Sequence, residues 1–204
     1  MMENVGILIL GAGNSSRLGQ PKQLLEFQGK PLICRMVDEA SGAASGPVMI
    51  VAGASAVEVK CKLQGTPALI VMNDNWVEGM GSSIATGMKA MTQQFTELEG
   101  VIIMVCDQPY VTSALLRQLV EQHIITRKGI IASTYDNTAG TPVLFHNRYF
   151  RALSGLTGQQ GAKKILQQST DDLALVPFPL GVLDIDTAED YQRLLTGELS
   201  QTDR

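Results

Sequence analysis

A segment rich in glycine and carrying two cationic side chains follows the first apolar run of the sequence. Residues 11–22 read GAGNSSRLGQPK and come directly after Val5–Leu10. Glycine lets a backbone turn sharply and present N–H groups to an anion, because no side chain blocks the approach. Arg17 supplies a planar fork suited to phosphate oxygens, and Lys22 supplies a mobile point charge. The segment therefore offers what a nucleoside triphosphate needs, although a tight turn with two solvated cations has the same composition.

Two well-known phosphate-binding loops do not fit this segment. A Walker loop needs Gly-Lys followed by Ser or Thr, whereas Gln20 follows Gly19. The dinucleotide fingerprint begins correctly with two glycines but has Ser16 where a third Gly or Ala belongs. The predicted second strand, which ends at Ala52, also lacks the acid that would bind a ribose. The pattern disfavours a dehydrogenase of the Rossmann type.

Residues 79–83 (GMGSS) form a second glycine-rich segment, just before a predicted helix over Ser83–Gln94. Ser82 or Ser83 is placed to cap that helix, whose exposed N–H groups can hold an anion or the edge of a base. A serine-capped loop without a ligand fits the same residues equally well.

Acidic residues occur in two further segments at positions that suit a metal ion. Asp107 comes directly after a continuous apolar run, which is typical of a parallel strand covered on both faces. Asp184 and Asp186 precede the last predicted helix and share a face if that stretch is extended. Mg²⁺ prefers oxygen ligands and usually takes one or two protein carboxylates. The structural alternatives are a surface turn at Asp107 and a capping box formed by Thr187 and Asp190.

The elements that must position these segments follow from the alternation of short apolar runs with helical stretches. This alternation predicts parallel βαβ units, with ligands bound beyond the carboxyl ends of the strands. The predicted strands are Val5–Leu10, Val48–Ala52, Ala68–Met72, Val101–Cys106, Ile130–Thr134, Pro142–Phe145 and Leu173–Val176. The predicted helices are Pro31–Ala40, Ala56–Leu63, Ser83–Gln94, Ser113–Ile125 with Thr112 as its cap, Ala162–Gln168 and Ala188–Leu195. We expect one domain over residues 1–197 and a polar tail over residues 198–204.

Composition narrows the class of protein further. The chain has 204 residues, of which 45% are hydrophobic and 18% charged, as is typical of a globular domain. The net charge of −4 disfavours a nucleic-acid partner, and no apolar window is long enough to span a membrane. The first residues lack the basic region of a signal peptide. Cys34, Cys61 and Cys106 are too scattered for a disulfide framework or a zinc site, so we expect buried free thiols in a reducing cytoplasm.

Several of these segments, taken in order, resemble the nucleotidyltransferases of the molybdenum-cofactor cytidylyltransferase type. The string L-G-A-G-x-S-x-R-x-G-x-P-K at residues 10–22 departs from the family signature only at Gly11, where alanine is common. G-M-G-S-S-x-x-x-G at 79–87, C-D-Q-P at 106–109, G-T-P at 140–142 and D-I-D-T-x-x-D at 184–190 are also similar to family segments. Residues 158–163 lack the usual acid after the first glycine and the usual final Arg, which leaves the acceptor open.

The resemblance implies a Rossmann-like three-layer α/β/α fold with a mostly parallel sheet, of the nucleotidyltransferase (glycosyltransferase-A-like) type. The implied reaction transfers CMP from CTP to the terminal phosphate of molybdopterin or its molybdenum-loaded form, with Mg²⁺ as cofactor and pyrophosphate as leaving group. A molybdenum hydroxylase would receive the product.

The resemblance also implies roles for individual residues. Arg17 and Lys22 are the expected catalytic cations, and Asp107 and Asp186 are the expected metal ligands, with Asp184 left open. The expected nucleotide-binding residues are Leu10, Gly11, Ala12, Gly13, Ser15, Arg17, Lys22, Gly81, Ser82, Ser83 and Asp107. The expected acceptor-binding residues are Gln108, Pro109, Gly140, Thr141, Pro142, Gly161 and Ala162.

Other functions remain open at this point. A sugar-phosphate or isoprenoid cytidylyltransferase would share the fold and the loop. Guanylyl transfer to the same pterin is disfavoured, because its relatives usually carry a second glycine where Ala12 stands. A non-catalytic nucleotide-binding chaperone for cofactor insertion would keep the loop without the chemistry.

Overall fold

The computed structural model describes residues 4–13, 18–159 and 161–197. Ser15 and Arg17, which the resemblance assigns to the nucleotide site, lie outside these ranges, as does the tail at residues 198–204.

The strands are β1 (Val5–Gly11), β2 (Glu26–Phe27), β3 (Lys30–Pro31), β4 (Val48–Ala52), β5 (Leu69–Met72), β6 (Gly100–Val105), β7 (Ile130–Tyr135), β8 (Thr138–His146) and β9 (Leu173–Pro177). Seven of them form one sheet in the order β5-β4-β1-β6-β8-β7-β9, and β2 and β3 form a separate antiparallel pair. The α-helices are α1 (Leu32–Ser41), α2 (Ala56–Lys62), α3 (Met80–Gln94), α4 (Ser113–Thr126), α5 (Phe150–Ser154), α6 (Lys163–Gln168) and α7 (Ala188–Thr196). The sequence pattern predicted all of these helices except the short α5.

The sheet is mostly parallel, as predicted, because β8 is the strand that runs against its neighbours. β7 and β8 form a hairpin whose loop residues, Asp136 and Asn137, have φ values of +46° and +54°. Such left-handed pairs are typical of tight two-residue hairpin turns, in which Asp and Asn are favoured. β8 therefore begins at Thr138, earlier than the predicted start at Pro142.

A bulge interrupts the pairing of these two strands. Ala132 pairs with Val143, whereas Ser133 pairs with Gly140, so residues 141–142 have no counterpart on β7. The Ser133 hydroxyl donates to the carbonyl of Pro142 at 2.8 Å. A bulge admits a proline within a strand, because the extra residues make no ladder hydrogen bond.

Both faces of the sheet are covered by helices. Ile7 and Ile9 of β1 belong to a core shared with α1, α2 and α4, whereas Leu8 and Leu10 belong to a second core shared with α3, α5 and α6. Alternate side chains of a strand point to opposite faces, so a strand between two helix layers is apolar throughout. The expected three-layer α/β/α arrangement is confirmed. Among the described residues, no helix has the length and apolar character needed to cross a membrane.

The three cysteines differ in exposure. Cys106 is buried, Cys34 is partly exposed and Cys61 is exposed. The prediction of a buried thiol is therefore wrong for Cys61. Val59 is a buried residue of α2, and a residue two positions later lies on the opposite side of the helix.

Candidate active site

The carboxyl ends of the parallel strands bring two of the predicted segments to one edge of the sheet. Leu10 of β1 pairs with Val105 of β6. The turn at Gly11–Gly13 and the carboxylate of Asp107, which follow these two neighbouring strands, therefore lie side by side. This is the edge at which open α/β sheets bind ligands.

Lys22, Asp107 and Asp186 meet at this edge. The Lys22 ammonium contacts the Asp107 carboxylate and lies 3.2 Å from Asp186 Oδ1. The side chains of Lys22 and Asp107 are only 16% and 17% exposed, whereas that of Asp186 is 51% exposed. Burial acts to lower the pKa of Lys22, but Asp107 and then Asp186 outweigh it, so this pKa lies above its ordinary value of 10.5. The lysine therefore carries a positive charge between two carboxylates.

Backbone and apolar contacts hold these distant segments together. The N–H of Ile185 donates to the carbonyl of Asp107 at 3.1 Å, which ties the last acidic segment to the end of β6. A small apolar cluster joins the segment that carries Lys22 to the segment that carries Asp186; its members are Leu18, Leu25, Phe27, Leu32, Ile185 and Leu194. The predicted capping box is confirmed, since the side chains of Thr187 and Asp190 each accept from the other's backbone N–H.

Asp107 and Asp186 are chemically suited to a divalent cation. Both carboxylates contact one ammonium group, so a cation placed there has oxygens from two segments within reach. Over the described ranges, no group of three or more His, Cys, Asp or Glu side chains is arranged to hold a metal ion. Mg²⁺ usually takes one or two carboxylates and completes its shell with substrate phosphates and water. A two-carboxylate site completed by a triphosphate fits this arrangement.

A cavity of about 500 Å³ lies over the end of β1. Lys22 and Asp107 line it together with three residues expected to bind nucleotide in the first segment, Leu10, Ala12 and Gly13. Its remaining lining residues are Trp76, Val77, Gly79, Met80, Ser83, Val105, Cys106 and Gln159. The cavity thus joins the first glycine-rich segment to the second one.

The second glycine-rich segment differs from the prediction. α3 begins at Met80 and its N-terminal neighbour is Gly79, so neither serine caps the helix. Instead, the buried side chain of Asn73 donates to the hydroxyls of Ser82 and Ser83 at 2.9 and 3.0 Å. The Ser82 oxygen also lies 2.8 Å from the carbonyl of Gly79. These bonds fix the start of α3. Asn73 was missed because an Asn at the end of a strand forms no recognised motif with its neighbours in sequence.

Gly81 packs directly against the backbone of residues 157–158. Its N–H donates to the carbonyl of Gly158 at 2.9 Å, and a Cβ at this position would lie 2.6 Å from the carbonyl oxygen of Thr157. Gly81 and Ser82 do not line the cavity, whereas Ser83 does. The glycine is needed here because residues 157–158 pass directly over the start of α3.

A second cavity of about 370 Å³ adjoins the first and shares Met80, Val105 and Asp107 with it. Its other lining residues are Gln108, Tyr135, Asp136, Thr138, Thr141, Gly181, Val182 and Asp184. Burial raises the pKa of Asp184, and the negative charges of Asp186 and Asp107 raise it further. Two cavities that meet at one aspartate provide places for two substrates and a common point for the reaction between them.

A buried amide organises the second cavity. Gln108, only 3% exposed, donates from Nε2 to the Tyr135 hydroxyl at 3.2 Å and to the carbonyl of Gly181 at 3.0 Å. The Thr141 hydroxyl donates to Gln108 Oε1 at 3.1 Å. The Tyr135 side chain lies against two glycines, since a Cβ on Gly140 would lie 2.2 Å from its hydroxyl oxygen and a Cβ on Gly181 would lie 2.3 Å from its ring. Tyr135 was missed by the sequence analysis, although the Asp-Asn turn that follows it signals a hairpin.

The expected acceptor residues therefore divide into two groups. Gln108 and Thr141 line the second cavity, and Gly140 makes room for its tyrosine. Four others do not line it: Pro109, Pro142, Gly161 and Ala162. The carbonyl of Pro109 accepts from Arg35, the carbonyl of Pro142 accepts from Ser133, and Gly161 packs against the Met80 sulfur.

A mostly parallel sheet with two adjoining cavities at its strand ends is consistent with the nucleotidyltransferase class of proteins. Residues 7–173 match the family model described as MobA-like NTP transferase domain. The chain belongs to this family of nucleotidyltransferases, and the resemblance drawn from its motifs is confirmed at that level.

Solved structures of similar proteins support the same fold. The structure is similar to the Rv0371c homologue from Mycobacterium sp. strain JC1, with 28% identity, a TM-score of 0.83 and coverage of 98% of this chain and 99% of that one. It is also similar to Rv0371c of Mycobacterium tuberculosis H37Rv in complex with manganese, with 26% identity, a TM-score of 0.74 and coverage of 95% and 98%.

Two proteins with similar sequences have different names. The chain is 28% identical over 200 residues to the nicotine blue oxidoreductase of Paenarthrobacter nicotinovorans, covering 92% of this chain and 95% of that protein. It spans 38% of the length of the bifunctional protein GlmU of Acidithiobacillus ferrooxidans, to which it is 24% identical.

Proposed function

We propose that this protein transfers CMP from CTP to the terminal phosphate of a molybdopterin-type acceptor, with Mg²⁺ as cofactor and release of pyrophosphate. The observation that carries the proposal is the position of Asp107, which lines both cavities and shares the ammonium of Lys22 with Asp186. The first cavity would hold the triphosphate and the second would hold the acceptor.

The proposed reaction is a displacement at the α-phosphorus. A phosphate oxygen of the acceptor forms a bond to that phosphorus, and the bond to the bridging oxygen of the β-phosphate breaks. The acceptor phosphate is already ionised at neutral pH, so the site needs no general base. Catalysis then consists of positioning and of stabilising charge on the phosphates.

Different residues of the chain would position the substrates and stabilise charge on the phosphates. Lys22, and Arg17 by resemblance, would hold the β- and γ-phosphates and stabilise the departing pyrophosphate. Asp107 and Asp186 would bind Mg²⁺, which neutralises phosphate charge when bound. Ala12 and Gly13 would admit the base and ribose through close backbone contact, since they line the first cavity with no bulky side chain.

The acceptor and the base are proposed from the family resemblance. A MobA-like domain is consistent with a pterin acceptor, and the Gln108–Tyr135–Thr141 network supplies hydrogen-bonding groups in the second cavity. The preference for CTP follows from Ala12, where guanylyl-transferring relatives usually carry glycine. A sugar phosphate with the same donor would need the same catalytic groups.

The name of one relative describes an oxidoreductase, which makes a redox function the alternative to test. Hydride transfer from a nicotinamide dinucleotide would require a dinucleotide site. The first segment has Ser16 in place of the third glycine of that fingerprint, which supports the transferase instead.

Thermal unfolding with CTP, GTP, ATP, UTP or NAD, each with and without Mg²⁺, tests the proposal. A ligand at a hundred times its dissociation constant raises the free energy of unfolding by about 2.7 kcal/mol. We expect a Mg²⁺-dependent response to CTP, followed by pyrophosphate release when molybdopterin is added. A response to GTP would change the product but keep the mechanism, whereas a response to NAD alone would contradict the proposal. Binding of CTP without pyrophosphate release would favour a nucleotide-binding chaperone.

A further inference from the structure

A buried glutamine supports the first glycine-rich segment. Gln23 follows Lys22 and is 0% exposed. Its Nε2 donates to the carbonyl of Gly11 at 2.7 Å and to that of Gly13 at 2.8 Å. One amide therefore fixes the carbonyls on both sides of Ala12, which lines the first cavity.

The other end of this amide is unusual. Gln23 Oε1 is buried and makes no hydrogen bond to the part of the chain that the structure describes. A buried acceptor without a partner is destabilising, whereas the two donated bonds are stabilising. Because these effects oppose each other, the clearest consequence of the amide is geometric: it sets the direction of the Gly11 and Gly13 carbonyls, on either side of Ala12.

A second contact restrains the same segment from another side. A Cβ on Gly53, just after β4, would lie 2.6 Å from the carbonyl oxygen of Ala12 and 2.9 Å from its Cβ. The same Cβ would lie 2.8 Å from Cβ of Trp76, which also lines the first cavity. Ala12 is thus packed closely against the end of β4 while Gln23 holds its neighbours.

We propose that Gln23 is a positioning residue for the nucleotide, acting through the backbone of Gly11–Gly13. This inference rests on the proposed function, since it assumes that a triphosphate occupies the first cavity. Gln23 itself does not line that cavity, so its effect is transmitted by the two carbonyls it holds. A backbone that is already fixed in its binding conformation loses less conformational entropy when the ligand binds, which strengthens binding.

The test is Gln23→Met, which keeps the length of the side chain and removes the amide. We expect the dissociation constant of Mg²⁺–CTP, measured by titration calorimetry, to rise at least tenfold, which corresponds to about 1.4 kcal/mol. We expect KM for CTP to rise in parallel, with KM for the acceptor unchanged. The matched control is Gln118→Met, on the exposed side of α4, which we expect to bind CTP like the wild type.

The outcomes separate this inference from the proposed function. Equal CTP affinities in wild type and Gln23→Met would overturn the inference alone. Failure of the wild type to bind any nucleoside triphosphate would overturn both.

A measurement on the unmodified protein covers the case in which Gln23→Met does not fold. The side-chain amide protons of Gln23, followed by NMR, are expected to exchange with water more slowly in the CTP complex than in the free protein. Equal or faster exchange in the complex would overturn the inference, because the amide would then not be holding the segment that binds the nucleotide.

Discussion

The ammonium nitrogen of Lys22 lies 3.2 Å from Oδ1 of Asp186, although 164 residues separate the two in the sequence. The same nitrogen contacts the carboxylate of Asp107. Two carboxylates around one point repel each other unless a cation lies between them. Lys22 therefore neutralises the position proposed for Mg²⁺, and our mechanism requires its ammonium to move to the phosphates when Mg²⁺–CTP binds.

Replacement of Lys22 by methionine tests this dual role. We expect kcat/KM for pyrophosphate release to fall by about 10²–10³-fold, the typical cost of removing one charge-stabilising group. The control is Lys60→Met on α2, where the side chain is exposed. Activity of Lys22→Met within threefold of the wild type would show that the lysine serves only to neutralise the two aspartates.

Replacement of Asp107 by asparagine tests the proposed metal site. The amide keeps the shape of the side chain but removes the negative charge that Mg²⁺ needs. We expect a loss of at least about 10²-fold in kcat, or about 2.7 kcal/mol, and a weaker Mg²⁺ dependence of CTP binding. Asp171→Asn is the control, since Asp171 is exposed and accepts from Lys128 through its backbone carbonyl, which the substitution keeps. Full turnover of Asp107→Asn at ordinary Mg²⁺ concentration would refute the metal assignment.

Replacement of Tyr135 by phenylalanine tests the second cavity as the acceptor site. The substitution keeps the ring against Gly140 and Gly181 and removes the hydroxyl that accepts from Gln108. We expect KM for the acceptor to rise about fivefold to tenfold, in line with one hydrogen bond of roughly 1 kcal/mol, with KM for CTP unchanged. Steady-state kinetics with each substrate varied in turn would measure both values. A change in KM for CTP alone would contradict the division of the site into two cavities.

A pair of histidines predicts how stability depends on pH. His123 and His146 stack with ring centroids 5.6 Å apart. Burial lowers the pKa of His146, and the charges of Arg148 and His123 lower it further. The folded state therefore prefers the neutral ring, and stability falls as the pH drops from the ordinary value of 6.5 through the lower folded pKa.

Thermal midpoints measured between pH 7.5 and pH 5 (about 6.5 being the unfolded pKa) would detect this loss. We expect His146→Gln to reduce the dependence on pH in that window. The pKa of Asp172 lies below its ordinary value of 3.8. Burial acts to raise it, but the hydrogen bonds from Tyr149 and Gly129 and the charge of Arg148 outweigh that effect. Asp172 therefore affects the pH dependence of stability only at more acidic pH. An identical pH profile in the variant would show that His146 does not cause the effect.

The cysteines predict a selective chemical modification. Cys61 is exposed, whereas Cys106 is buried and burial raises its pKa to about 12. Since the thiolate is the reactive form, we expect an aromatic disulfide reagent to modify Cys61 quickly and Cys106 only after unfolding. In a Cys34→Ser background, which removes the partly exposed thiol, Cys61→Ser should remove the fast phase, as followed by absorbance and mass spectrometry. A fast phase that persists when both Cys34 and Cys61 are serine would contradict the burial of Cys106.

The sequence determined the class of fold and the family, because those depend on local patterns. Uninterrupted apolar runs predicted covered strands, and the segments at residues 10–22 and 106–109 resembled a family that the comparison then identified. Thr187 and Asp190 predicted a helix start correctly, since a capping box depends on residues only three positions apart.

Tertiary structure decided how these segments form a site. The contact of Lys22 with Asp186 and the bonds from Gln108 to Tyr135 and Gly181 join residues far apart in the chain. The support of the first segment by Gln23 depends on burial, which no motif encodes. Such contacts depend on which strands lie side by side and which side chains the packed core excludes from water, and a linear pattern of residues does not contain that information.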